Sequence, residues 1–194
     1  MTDFQSMAVE QGQDFQRICV ASLVSAGFEI SDPVNLRVDD VGVEVDIVAT
    51  GISNLSFLFE CKGARRHSEK SRPGLERTDT IKKALCNAVL LRRSEISGLF
   101  PPLVILTSHV PRSGAGVAML CAMGREDVFD IINPIEHAYR LMWLSRATEE
   151  EIKKDMADYS IGYMLQARWG STMPKPVQQR QEATFIDTLP LFAA

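Results

Sequence analysis

Charged side chains on two neighbouring apolar segments of this chain could together form a metal site. Asp46 lies within the segment 42–49, and Glu60 and Lys62 lie at the end of the segment 55–62. Burying ionised carboxylates in a sheet is costly unless a cation or hydrogen-bond donors compensate their charge. Three acids (Glu44, Asp46 and Glu60) and a lysine on adjoining strands therefore call for a partner, and a divalent cation could lie between them.

The alternation of side chains along a strand decides which of these groups can meet. Glu44 and Asp46 share one face of the first segment, and Glu60 and Lys62 share one face of the second. If residues 50–54 form a hairpin turn, the two faces coincide and Asp46 approaches Glu60. The alternative is an exposed hairpin face with an ordinary cross-strand ion pair, which would stabilise the fold only weakly. Apolar side chains interspersed on the charged face favour the metal site.

Length and composition suit one folded domain with an appendage. The chain has 194 residues, of which 45% are apolar and 24% charged. We predict a core domain over 1–133 and a C-terminal helical extension and arm over 134–194. The absence of a basic and apolar leader and of any membrane-length segment predicts a cytoplasmic protein without membrane contact. The four cysteines are spaced too widely to indicate a zinc cage or a disulfide framework.

The charge of the chain is unevenly distributed. The net charge is −4, yet residues 62–93 hold ten Lys or Arg against three acids, a charge of +7, which leaves −11 for the rest. A basic segment that starts at the second charged strand could contact a polyanion beside the proposed metal. The alternative is a solvated, charge-rich loop without a partner.

The pattern of the remaining chain predicts an α/β protein. Apolar residues recur at helical spacing over 7–27 and 78–93, and the unbroken apolar segment 103–107 predicts a strand buried on both faces. Further elements are predicted by the same criteria: a short strand over 34–38, a helix over 114–123, a strand over 128–132, and helices over 134–146 and 148–156.

The two charged segments carry the strings GVEVDIVA, which contains Asp46, and FLFECKG, which contains Glu60 and Lys62. With the predicted order of elements, they resemble the PD-(D/E)xK nuclease superfamily, and most of all its Mrr-type restriction endonucleases and Holliday-junction-resolvase-like members. The resemblance extends over roughly residues 8–110 and is strongest over 42–63. It implies a restriction-endonuclease-like three-layer core in the order helix, three strands, helix, strand, followed by the C-terminal helical extension.

The resemblance also implies catalytic roles for the charged residues. Asp46 and Glu60 would hold the metal, and Lys62 would orient or activate the attacking water and stabilise charge on the phosphate. Phosphodiester cleavage requires a hard cation held by a few oxygens, with a positive charge nearby. Two carboxylates and the backbone carbonyl of Cys61 suit Mg²⁺, with Mn²⁺ as a substitute. Glu44 is expected either to act as a further acid of the site, or to face solvent or pair with a basic neighbour.

One position of the first helix departs from the family pattern. Members of the family often carry a glutamate directly after an aromatic residue there, whereas this chain has Gln16 after Phe15. An amide offers an oxygen to a metal but no charge. Either metal binding tolerates Gln16, or Glu10 or Asp14 replaces the missing acid, or activity is reduced.

These features predict a Mg²⁺-dependent endodeoxyribonuclease that acts in restriction, defence, repair or recombination. DNA is the expected partner, with RNA left open as a substrate, and we expect Arg65, Arg66 and Lys83 to contact backbone phosphates. Cutting both strands of a duplex with one site per chain favours a homodimer. The alternative function is a catalytically inactive nuclease-like module that binds nucleic acid or a protein partner, and Gln16 is the residue that favours it.

Overall fold

The computed structural model describes residues 2–31, 34–64, 73–94 and 103–172, with side chains described from Gly12 onward. Its main sheet has five strands in the order β1-β4-β5-β6-β7, and a separate two-stranded ribbon pairs β2 with β3. The strands are β1 (Glu29–Ile30), β2 (Leu36–Val38), β3 (Val43–Val45), β4 (Ile47–Thr50), β5 (Ser56–Lys62), β6 (Leu103–Thr107) and β7 (Asp130–Ile132). The sheet is mixed, because β1, β4 and β5 pair antiparallel whereas β5, β6 and β7 run parallel.

Six α-helices accompany the strands in the described part of the chain. They are α1 (Thr2–Ser25), α2 (Thr78–Arg92), α3 (Ala115–Cys121), α4 (Ala138–Leu144), α5 (Glu149–Asp158) and α6 (Ile161–Trp169). Local sequence explains several of their ends. Thr148 and Glu151 form a capping box at the start of α5, and α6 begins at a Ser160 cap and ends at Gly170 in the left-handed conformation. None of the described helices is both long and apolar enough to cross a bilayer.

Helices cover both faces of the sheet, which confirms the predicted α/β class. One apolar cluster joins alternate residues of β5, such as Phe57 and Phe59, to α1, α4 and α5. The other cluster joins Leu58 of the same strand to α2, α3, α6 and the ribbon. Because side chains alternate along β5, Glu60 and Lys62 fall on the face of Leu58, which α2 covers.

The segment 42–49, predicted as one strand, is broken at Asp46. Its first part is β3 in the ribbon and its second part is β4 in the main sheet. The backbone carbonyl of Asp46 accepts hydrogen bonds from the backbone N–H of Asn35 at 3.0 Å and from the side chain of Gln16 at 3.0 Å. These two hydrogen bonds take the place of those that a neighbouring strand would form with this residue. The predicted hairpin through 50–54 is confirmed, since β4 and β5 pair antiparallel across it.

The helices after residue 133 contribute to both apolar clusters. Leu141 and Leu144 of α4 lie in one cluster, and Met164 and Leu165 of α6 lie in the other. The segments predicted as helices over 134–146 and 148–156 contain α4 and most of α5, whereas α6 was not predicted. The proposed division of the chain at residue 133 stays a prediction.

A buried charge network holds these C-terminal helices on the end of the sheet. The Asp130 side chain, which is fully buried on β7, accepts hydrogen bonds from Arg140 Nε at 2.7 Å and Arg168 Nη1 at 2.6 Å. Asp155 of α5 accepts from Arg140 at 2.6 Å and from Arg125 at 2.6 Å. Three guanidinium groups and two carboxylates thereby join β7 to α4, α5 and α6. We call these five residues the Asp130 network.

Gly63, directly after β5, lies against the first helix with no space for a side chain. A Cβ atom at this position would come within 2.5 Å of the Phe15 ring, which is buried under the sheet. We therefore expect Gly63→Ala to lower the free energy of unfolding by about 1–3 kcal/mol, because the ring and α1 must shift. Urea unfolding followed by circular dichroism measures the change.

Gly12→Ala is the matched control, because a Cβ at Gly12 of α1 would meet nothing within 4 Å in the described part of the chain. We expect it to stabilise the helix slightly, since alanine has a higher helix propensity than glycine. Equal stabilities of the Gly63→Ala protein and the wild type would show that α1 is not held tightly against the end of β5.

Candidate active site

The structure brings together the three charged side chains that the sequence singles out. Lys62 Nζ lies 2.5 Å from Glu60 Oε1 and 3.6 Å from Asp46 Oδ2. The side chains of Lys62 and Asp46 are 16% and 22% exposed, so the group opens to solvent on the Asp46 side, while Glu60 is 2% exposed beneath it. The site is therefore a small charged recess at the end of β5 and the start of β4.

Asp46 is held in place through both its side chain and its backbone. Its Oδ2 atom accepts a hydrogen bond of 2.6 Å from the backbone amide of Cys61, across the β4–β5 hairpin. Its carbonyl accepts from Gln16 on α1 and from the amide of Asn35, which has a φ of 66°. Asparagine tolerates this left-handed conformation better than most residues. The break in the strand at Asp46 thus directs the carboxylate toward β5.

The two carboxylate oxygens of Glu60 have different surroundings. Oε1 accepts hydrogen bonds from Lys62 Nζ and, at 3.1 Å, from Asn87 Nδ2 on α2. Oε2 is buried and has no hydrogen-bond partner among the described residues. A buried acceptor without a donor costs about 1–3 kcal/mol, and more when it is charged. A cation or a hydrogen-bond donor at Oε2 would remove this cost.

The pKa values of Glu60 and Lys62 are both raised, but for different reasons. Burial raises the pKa of Glu60, and the neighbouring Asp46 adds to the rise, while Lys62 and Asn87 oppose it only in part. Burial also acts to lower the pKa of Lys62, but Glu60 and Asp46 outweigh it, so the pKa of Lys62 is raised. Attraction within the pair alone would lower the pKa of Glu60. Burial prevails because Glu60 is the more deeply enclosed partner.

Together, ionised Asp46, Glu60 and Lys62 carry a net charge of −1 in a poorly solvated site. In the part of the chain that the structure describes, no group of three or more His, Cys, Asp or Glu side chains is placed to hold a metal. The donor set here is instead two carboxylates and the carbonyl of Cys61, which accepts from Lys62 Nζ at 3.3 Å and so faces the site. Oxygen donors of this kind suit Mg²⁺ or Mn²⁺ rather than zinc.

The thiol of Cys61 lies away from these oxygens. It packs in the cluster under α1, and its pKa is raised well above the usual value, first by a hydrogen bond with Cys19 and then by burial. The backbone carbonyl, and not the thiol, is therefore the group of Cys61 that faces the site.

Gln16 lies beside the site but contributes its amide nitrogen. Nε2 donates to the carbonyl of Asp46 at 3.0 Å and to Asn35 Oδ1 at 2.8 Å. Among the residues predicted as substitutes for a helix glutamate, Asp14 forms an ion pair of 2.8 Å with Arg17. The side chain of Glu10 lies outside the described residues. The structural role of Gln16 is therefore to hold the backbone of Asp46 in place.

Of the other predicted site residues, the two that the structure describes are both exposed. Glu44 is exposed on β3, opposite Arg37 of the ribbon. Lys83 is exposed on α2, one turn before Asn87 and on the same side of the helix. Arg65 and Arg66 lie outside the described residues. The structure thus gathers Asp46, Glu60, Lys62 and the Cys61 carbonyl, but does not place Glu44 in contact with them.

Two supporting contacts were not predicted from the sequence. Asn87 shares a side of α2 with Lys83, and that spacing of four is the only sequence signal for its contact with Glu60. Thr107 at the end of β6 donates its hydroxyl to the carbonyl of Lys62 at 2.6 Å, which fixes the end of β5. No local pattern predicts that contact, because it depends on the parallel pairing of two distant strands.

Comparison of the chain with protein-family models, with curated proteins and with solved structures found no match in any of the three.

Proposed function

We propose that this protein is a Mg²⁺-dependent endonuclease of the PD-(D/E)xK type that hydrolyses phosphodiester bonds in DNA in the cytoplasm. The observation that carries the proposal is the convergence of Asp46, Glu60 and Lys62, with the buried Glu60 Oε2 left without a donor among the residues that the structure describes. A buried polar atom without a partner is expected in a site that a ligand completes.

The order of elements supports the same proposal. A first helix, the three antiparallel strands β1, β4 and β5, a helix over the charged face and then a parallel strand follow one another, which is the order of the core that the resemblance implies. The ribbon of β2 and β3 and the helices α4–α6 are additional to that core. The resemblance thus accounts for the part of the chain that surrounds the charged recess.

The residues present fit a hard divalent cation. Asp46, Glu60 through Oε2 and the carbonyl of Cys61 would hold Mg²⁺, with Mn²⁺ as a substitute. When bound, the cation would polarise a phosphate oxygen and lower the pKa of a water molecule on it. With a divalent cation bound, the net charge of the three-residue site would be +1 instead of −1, and a positive site attracts a phosphate group.

Lys62 is suited to stabilise charge on the phosphate. Its raised pKa keeps the ammonium group protonated at neutral pH, so it donates hydrogen bonds and does not accept a proton. A fixed positive charge beside the scissile phosphate lowers the free energy of a transition state in which negative charge accumulates on oxygen. The contacts with Glu60 and Asp46 hold the ammonium group at the site before substrate arrives.

The charge distribution around the site favours a nucleic acid as the substrate. The segment 62–93 carries a net charge of +7, starts at Lys62 and includes the exposed Lys83. We propose that Lys83, with Arg65 and Arg66, contacts backbone phosphates, which would make binding strongly dependent on salt concentration. Cleavage of both strands of a duplex would require two copies of the site, so we propose that the active form is a homodimer.

A second candidate function is a nuclease-like module that binds DNA without cutting it. The position of Gln16 favours it, because the amide nitrogen and not a carboxylate faces the backbone of Asp46. The site therefore has one negative charge fewer than a site with a glutamate at this position of the first helix. Binding of DNA without cleavage in Mg²⁺ or Mn²⁺ would support this second function.

Asp46→Asn separates the two functions. We expect the wild type to nick supercoiled plasmid DNA in Mg²⁺, and we expect EDTA to stop this nicking. The variant should nick about 10²–10³-fold more slowly, which is the usual cost of losing a group that organises transition-state charge. Agarose gel electrophoresis of the nicked and linear products measures the rate. Asp39→Asn is the control, since Asp39 is an exposed acid that pairs with Arg37 away from the site. Equal nicking by the wild type and Asp46→Asn would refute the proposed active site.

A further inference from the structure

The two oxygens of Glu60 are distinguished by donors that come from two different elements. Lys62 belongs to β5 itself, two residues after Glu60, whereas Asn87 belongs to α2, which packs over the strand. Both donate to Oε1, and neither donates to Oε2. The rotation of the carboxylate about its last bond is thus fixed so that Oε2 is the atom left for another partner.

Asn87 is the more rigid of the two donors. It lies half-buried between Ala84 and Ala88 along α2, both of which are buried in the apolar cluster, so the backbone of the helix at this point is fixed. Its side chain has two rotatable bonds, whereas the ammonium group of Lys62 ends a flexible four-carbon chain. Lys62 also lies within 3.6 Å of Asp46, so it can move toward that carboxylate while Asn87 cannot.

We infer that Asn87 is a positioning residue for the metal site, which holds Oε1 of Glu60 so that Oε2 is presented to a divalent cation. This inference rests on the proposed function, because it takes the cation as given and assigns a residue that prepares its ligand. Without the amide donor, the carboxylate can rotate and offer either oxygen to Lys62. The cation would then have to compete with the ammonium group for Glu60.

The consequence is a loss of metal affinity with a smaller effect on the chemical step. Residues that orient a metal ligand through a hydrogen bond typically contribute about 10–100-fold to metal affinity. We expect Asn87→Ala and Asn87→Leu to raise the dissociation constant for Mn²⁺ by that factor. At saturating Mn²⁺ the cleavage rate should stay within a few-fold of the wild type, since Asn87 contacts neither the cation nor the substrate in this role.

Isothermal titration calorimetry with Mn²⁺ alone measures the affinity in the absence of DNA, and nicking assays over a range of Mn²⁺ concentrations measure the rate. Cys86→Ala is the matched control, because Cys86 is exposed on the same helix one residue away. Asn87→Gln retains an amide donor on a longer side chain, and we expect it to bind Mn²⁺ more tightly than Asn87→Ala. Thermal unfolding of each variant verifies that it is folded. If either Asn87→Ala or Asn87→Leu folds poorly, the other variant still gives the affinity.

The outcomes distinguish this inference from the proposed function. Wild-type affinity for Mn²⁺ in Asn87→Ala and Asn87→Leu would overturn the role of Asn87 and leave the proposed nuclease standing. A lower rate at saturating Mn²⁺ with unchanged affinity would also overturn it, since Asn87 would then act on the reaction and not on the metal. Failure of the wild type to bind Mn²⁺ would overturn both.

Discussion

Lys62→Met is expected to slow phosphodiester cleavage at saturating Mg²⁺ by about 10²–10³-fold, the usual cost of losing one group that stabilises transition-state charge. Methionine retains most of the length and the apolar stem of lysine but has no ammonium group. The wild-type ammonium lies 2.5 Å from Glu60 and 3.6 Å from Asp46, so its loss removes the only positive side chain among the three site residues. Single-turnover cleavage of a labelled duplex isolates the step concerned.

The same variant should bind the cation at least as tightly as the wild type does. Removal of Lys62 changes the charge of the three-residue site from −1 to −2, and it frees Glu60 Oε1 from its closest donor. We therefore expect slower cleavage together with unchanged or tighter Mn²⁺ binding in calorimetry. Lys82→Met, at an exposed position of α2, is the control for loss of a nearby positive charge. Cleavage by Lys62→Met within about three-fold of the wild type would refute a role for Lys62 in the reaction.

Asp130→Ala is expected to lower the free energy of unfolding by about 3–5 kcal/mol, the cost of leaving a buried charge without its partner. Asp130 is fully buried, and its carboxylate accepts from Arg140 and Arg168, whose side chains are only 10% and 12% exposed. Both guanidinium groups would lose that counter-charge, and Arg168 would retain only weaker contacts with Ile131 and Met164. Urea unfolding monitored by tryptophan fluorescence measures the loss.

Asp39→Ala is the control for this change, because Asp39 pairs with Arg37 on the surface. Exposed ion pairs contribute little, so we expect almost no change in its unfolding midpoint. A similarly small change in Asp130→Ala would show that the Asp130 network is not needed to hold α4–α6 on the sheet. The Asp130 network is remote from the recess in sequence, and its loss is expected to act on stability and not on the reaction.

The candidate site was largely predictable because its geometry follows from strand alternation. Glu60 and Lys62 are two residues apart on β5, and the hairpin brings Asp46 across to them, so local rules are sufficient. The role of Gln16 was not predictable in the same way. Its residue type suggests a weak metal ligand, whereas the structure shows a donor to the backbone of Asp46. That difference depends on how α1 packs on the hairpin, which no spacing encodes.

The fold was predictable where one segment could be interpreted alone. The buried strand over 103–107 is confirmed as β6. The break at Asp46 was not predicted, because both halves of the segment are apolar and the interruption comes from Asn35 and Gln16. α6 was also not predicted. Its position depends on Arg168, which donates to Asp130 and Ile131 of β7, and these residues lie 38 and 37 positions earlier in the chain.

The division of one segment between β3 and β4 has a mechanical consequence. Asp46 is the residue through which the chain passes from the two-stranded ribbon to the main sheet, and its peptide is clamped by α1 on the way. Any displacement of the ribbon would therefore be transmitted to the Asp46 carboxylate through one peptide unit, and the hydrogen bond from Gln16 opposes that displacement.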